Sequence, residues 1–91
     1  MGMDLDKLHE ENAEFVRIRV SLLKEETNLS EREAQAVACK TVGTTAKKTA
    51  EIMGVKESTV NEYLDRAREK ATVGYETYDA LRAFGVVESQ E

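Results

Sequence analysis

At 91 residues the chain makes one small domain, with no room for a separate catalytic or ligand-binding domain. Hydrophobic residues at 41%, charged residues at 34%, only 5% aromatics and no proline point to an all-α fold whose core is filled by Leu, Val, Ile, Ala and Met. One cysteine rules out an internal disulfide, no apolar run approaches membrane-spanning length, and a net charge of −5 speaks against a uniformly basic surface, so a reducing, cytoplasmic setting without a membrane partner is expected.

Residues 4–26 read as one long helix. Leu5, Leu8, Phe15, Ile18, Leu22 and Leu23 recur at spacings of three, four and seven, interrupted by Asn12 and Arg19. Asp4 and Asp6 suit the positive end of its dipole. This helix either covers the core of its own domain or pairs with a second copy. A loop follows at residues 27–30, and Ser30 with Glu33 forms a capping box that opens a second helix. Ala34, Val37, Ala38, Thr41 and Val42 make its inward face and Gly43 its stop. Cys39, within it, lacks an acid-base partner and reads as a packed residue rather than a nucleophile.

Residues 46–65 fit two short helices joined by a tight turn. Thr45 is the expected N-cap of the first. Ala50 is small enough for the helices to cross closely, and Gly54 sits where a positive φ is needed. Thr49, Met53, Val55 and Val60 fall at inward positions, followed by Tyr63 or Leu64. This is a helix-turn-helix pattern, whose second helix can lie in a DNA major groove. That helix is expected from Lys56 or Glu57 to about Lys70, with Val60, Leu64 and Ala67 or Ala71 inward. Glu57, Ser58, Asn61, Glu62, Asp65, Arg66 and Glu69 face outward. A last short helix is expected at residues 75–84, with Tyr75, Tyr78, Leu81 and Phe84 apolar, and residues 88–91 form a frayed tail.

Charge follows the same division. Residues 40–70 carry seven basic and five acidic side chains, a balance of +2, whereas residues 1–30, 31–39 and 71–91 carry −3, −1 and −3. DNA affinity comes largely from neutralised phosphates, so the local surplus matters more than the total. Lys47 and Lys48 are either a solvated face or phosphate contacts. Asn61 is suited to bidentate bonding with adenine, and Glu62 or Asp65 to accepting from the cytosine amino group, unless these acids are simply solvated. The acidic flanks also suit a halophilic source.

With these segments placed, residues 29–87 resemble the LuxR-type helix-turn-helix domain and its relative, region four of bacterial sigma factors. LSEREAQAV at 29–37, GTTAKKTAEIMGV at 43–55, KESTVNEYLDRAREK at 56–70 and YETYDALRAFGVV at 75–87 carry the likeness. Similar small stand-alone proteins occur among haloarchaea. The resemblance implies a four-helix DNA-binding domain, four to five helices in the whole chain, with the domain's third helix in the groove and its fourth able to dimerise. Residues 1–28, outside the resemblance, form an N-terminal helix that is either core cover or dimerisation element, and the motif domain spans 29–87. The resemblance places base contacts at Asn61, Glu62 and Asp65, and phosphate contacts at Thr45, Lys47 and the start of the third helix, near Ser58 and Thr59. Lys48, Lys56 and Arg66 complete the expected phosphate set. Two departures stand out: two of the three base-contacting positions are acidic where family members usually carry basic residues, and Lys56 stands where Ser or Thr usually caps the helix. The usual upstream sensor domain is not expected, so a signal would arrive through a partner.

The function expected is a small transcription regulator that binds double-stranded DNA as a homodimer, needing no cofactor. The alternative is a protein-interaction adaptor on the same scaffold, touching the transcription machinery through its acidic face. An enzyme is not expected: His9, the only histidine, neighbours Glu10 and Glu14 but lacks the second histidine of a helical zinc site.

Overall fold

A computed structural model of the chain describes residues 2–73. After a 3-10 turn at Leu5–Lys7 come four helices: α1 (Glu10–Glu26), α2 (Glu31–Thr41), α3 (Ala46–Met53) and α4 (Glu57–Val73). The fold is all-α, as the composition implies. The helix expected at residues 75–84 and the tail at 88–91 lie outside the described residues. No helix among those described is long and apolar enough to cross a membrane.

Helix α2 is the hub. Every residue from Glu33 to Cys39 is buried, so neighbours cover it on all sides. Three of those residues are alanines, Ala34, Ala36 and Ala38, and their small side chains let the other helices approach closely. α1 packs chiefly on α2, whereas α4 packs on both α2 and α3. The larger of two contiguous clusters joins Leu23, Leu29, Val37, Met53, Val60 and Leu64, and the smaller joins Val16, Ala38, Cys39 and Ile52. Burial pushes the Cys39 thiol up to about 11, so it stays protonated at neutral pH and packs as a small apolar group.

The helix ends are built by local chemistry. Ser30 Oγ accepts from the Glu33 N–H at 3.2 Å while Glu33 Oε1 accepts from the Ser30 N–H at 2.9 Å, the reciprocal capping box expected from the sequence. Thr45 Oγ1 accepts from the Lys48 N–H at 3.1 Å and caps α3.

The N-terminal segment departs from the expected single helix over residues 4–26. Leu8 is extended (φ −106°, ψ 155°), and α1 starts only at Glu10. The reason is tertiary: Met3, Leu5 and Leu8 pack against the smaller cluster, and the Asp4 N–H donates to the Ile52 carbonyl at 2.7 Å. A continuous helix could not bring all of these onto that cluster and Ile52. The buried face of α1 differs as well. Ala13, Val16 and Leu23 face the core, with Val20 partly buried beside them, while Phe15, Ile18 and Leu22 remain 52%, 48% and 37% exposed. The seven-residue apolar repeat therefore marks the outer side of α1, and a stripe shifted by about one residue marks the inner side.

Candidate nucleic-acid interface

The turn between α3 and α4 is held from several directions. Gly54 adopts φ +69°, ψ +36°, and the Gly54 and Val55 N–H groups both turn back to the Ala50 carbonyl, the latter at 3.0 Å. A positive φ of this kind favours glycine. The next carbonyls of α3 are satisfied from elsewhere in the chain. Ile52 accepts from Asp4, and Met53 accepts from Arg32 Nη2 at 2.7 Å. Arg32 Nη1 also donates to Gln35 Oε1 at 2.7 Å, which fixes the guanidinium between α2 and the turn. Ala50 is buried in the larger cluster together with Val60 and Leu64 of α4.

Helix α4 leaves this turn with a sharp division of its two sides. Val60, Leu64, Ala67 and Ala71, spaced four, three and four, are buried. Glu57, Ser58, Asn61, Glu62, Asp65, Arg66 and Glu69 are exposed. Tyr63 is partly buried at the margin. The far end of α4 is anchored by Lys70, whose Nζ donates to Glu33 Oε1 at 2.6 Å and to the Asn28 carbonyl at 3.2 Å. Burial alone would push the Glu33 carboxyl up, but the hydrogen bonds from Lys70 and Ser30 outweigh it and hold the pKa below the ordinary value. One buried carboxylate thus ties the start of α2 to the end of α4.

The sequence-predicted residues fall into two groups. Asn61, Glu62, Asp65 and Arg66 share the outer face of α4, with Ser58 one turn earlier and Lys56 at the turn. Thr45 and Lys47 sit at the opposite end of α3, exposed, where the N–H groups of the first turn point outward. Lys48 and Thr59 are partly buried, and Lys48 Nζ lies 4.0 Å from Glu51 Oε2. Asp65 Oδ1 is 3.3 Å from Arg68 Nη1, so a cation sits beside one of the two acids on this face. Sequence reasoning passed over that pair, although its spacing of three along a helix signals it. It also passed over Arg32 and Lys70 as positioning residues. Their positioning partners Met53 and Glu33 are 21 and 37 residues away, and no local pattern announces contacts over that separation.

Chemically, the surface offers two devices. The amide of Asn61 presents a donor and an acceptor from a rigid helix, and carboxylates flank it. The start of α3 offers Lys47 with a helix N-terminus, a pairing suited to an anion.

Comparison with known proteins is consistent with this geometry. The family model described as bacterial regulatory proteins, luxR family (GerE), matches residues 27–77, from the loop before α2 to beyond α4. The HTH-type transcriptional activator RamA of Corynebacterium glutamicum is 36% identical over 86 residues, an alignment covering 92% of this chain and 29% of that protein. The chain therefore spans less than a third of the length of this relative. No solved structure matches.

Proposed function

The chain belongs to the luxR family of bacterial regulatory proteins, and we propose that it is a transcription regulator that binds duplex DNA through α4 as a homodimer in the cytoplasm. The observation that carries this reading is the undivided polar face of α4, set beyond a glycine turn and backed by a fully apolar inner face. A helix of this kind fits the major groove with its outer side chains against base edges. The region over residues 29–87 is the DNA-binding unit in this reading, and residues 1–28 are its accessory.

The roles divide by chemistry. Asn61 bonds adenine at N6 and N7, and Glu62 or Asp65 accepts from the cytosine amino group. Thr45, Lys47 and the first turn of α3 hold a backbone phosphate, joined by Lys48, Lys56, Ser58, Thr59 and Arg66 along the two flanks. The acids on α4 also repel phosphates. Asp65 is partly compensated by Arg68, which lowers that repulsion. Two copies present two α4 helices to a palindromic site with half-sites about 34 Å apart.

Selection from a randomised duplex pool, followed by sequencing of the retained fraction, tests the reading. A shared palindromic pattern is expected. Asn61→Ala changes the selected sequence at one position in each half-site. Lys47→Ala weakens binding to every sequence by a similar factor. Identical behaviour of the two variants contradicts the division of roles, and retention of no duplex contradicts DNA binding.

A further inference from the structure

The outer stripe of α1 is used by nothing described so far. Phe15, Ile18 and Leu22 lie at spacings of three and four, all substantially exposed, on a helix whose other apolar side is already buried. We propose that this stripe pairs with the same stripe of a second copy, parallel and in register, so that α1 is the dimer helix; the proposal rests on the homodimer reading above.

Three observations choose the occupant and its direction. First, the spacing is that of a two-helix seam, in which Phe15 and Leu22 occupy equivalent positions one heptad apart and Ile18 the position between them. Second, the charges beside the seam are complementary in a parallel pair. Glu14 precedes Phe15 and Arg19 follows Ile18, and a residue in the first position faces the second copy's residue five further along in a parallel seam. Glu14 of each copy thus meets Arg19 of the other, twice by symmetry. In an antiparallel pair that sets Phe15 against Leu22, the two Arg19 side chains meet instead. Arg19 is held beside the seam: its guanidinium lies over the Phe15 ring at 5.6 Å, and Nη1 donates to Thr41 Oγ1 at 2.6 Å. Five N–H donors let one guanidinium serve Thr41 and a facing carboxylate together. Glu14 exchanges its exposed partner Arg17, 3.7 Å away, for Arg19 of the second copy. Third, α1 packs chiefly on α2 while α4 packs on α2 and α3, so pairing through the outer side of α1 leaves both α4 faces open.

The seam is short. Glu11 and Glu25 occupy the in-between positions on either side of Ile18, so apolar contact is confined to the central two turns. Stable complexes bury about 800 Å² per partner, and three side chains fall short of that. Pairing is therefore weak in free solution and is reinforced when one duplex holds two copies.

Cysteine cross-linking reads both the face and its direction. Ile18→Cys and Leu22→Cys are prepared separately, each in the full chain, and exposed to a mild thiol oxidant with and without the duplex pool. Buried, protonated Cys39 makes the unsubstituted chain the blank. Self-linking of both variants, enhanced by duplex, is expected, because only a parallel in-register pair brings two different positions each against its own copy. Self-linking at one position alone, or linking only in a mixture of Phe15→Cys with Leu22→Cys, establishes an antiparallel pair and overturns the proposal. Absence of linking in a chain that sediments as a dimer places the interface elsewhere and overturns this face while sparing the dimer. A chain that stays monomeric both alone and on DNA overturns the dimer reading too, and retention of duplex in the same samples judges DNA binding separately.

Discussion

Glu33 does three things at once: it completes the capping box of α2, accepts from Lys70 on α4, and is buried while charged. Its pKa is depressed in the folded chain, so the unfolded chain takes up the proton at higher pH than the folded one. The stabilisation is complete above the unfolded value of about 4.3 and is lost as pH falls through the folded value. Glu33→Gln is expected to flatten the fall of stability below about pH 5, measured by denaturant unfolding at a series of pH values. An unchanged pH profile would mean that the bond to Lys70 contributes nothing. Gly54 gives a second prediction at this scale. A Cβ there meets no atom within 4 Å, so the cost of Gly54→Ala is conformational alone, from φ +69°. A loss of about 1 kcal/mol is expected in equilibrium unfolding.

Among the four helices described, α3 is the shortest and depends most on what surrounds it. Its eight residues would not hold as an isolated helix, and Ile52 with Met53 supplies its anchorage in the core. Ile52→Ala should cost about 2–5 kcal/mol and weaken DNA binding only in proportion to the unfolded fraction. The turn, both motif helices and the capping box are legible in the sequence because each depends on residues within one or two helical turns: Thr45 with Lys48, Ser30 with Glu33, Ala50 with Gly54. What misleads is α1. Its two apolar stripes are offset by about one residue, and a repeat count favours the larger side chains, Phe15, Ile18 and Leu22, over Ala13, Val16 and Val20. Which stripe faces inward is decided by the alanine-rich α2 against which the helix lies, information that is not local. The break at Leu8 has the same origin, since it is imposed by contacts of Met3, Leu5 and Leu8 with the core around Ile52. The expected DNA-contacting residues of α4 all reach solvent or the helix margin, as amphipathic spacing alone requires.

For the whole molecule the central tension is electrostatic. A chain of net charge −5 is proposed to bind a polyanion, and it can do so only if its cations are gathered where the phosphates lie. Residues 40–70 concentrate them, but Lys70 is committed to Glu33, Lys48 approaches Glu51, and Arg68 lies beside Asp65. Lys47 at the start of α3, with Lys56 and Arg66, therefore bears much of the phosphate contact in this account. The most direct test is duplex affinity measured across a series of salt concentrations for the unsubstituted chain and for Lys47→Ala. The account predicts a steep linear fall of log affinity with log salt, and a slope smaller by about 0.9 for each Lys47 removed. Failure to bind duplex at any salt, or a slope that does not change with Lys47→Ala, would contradict it.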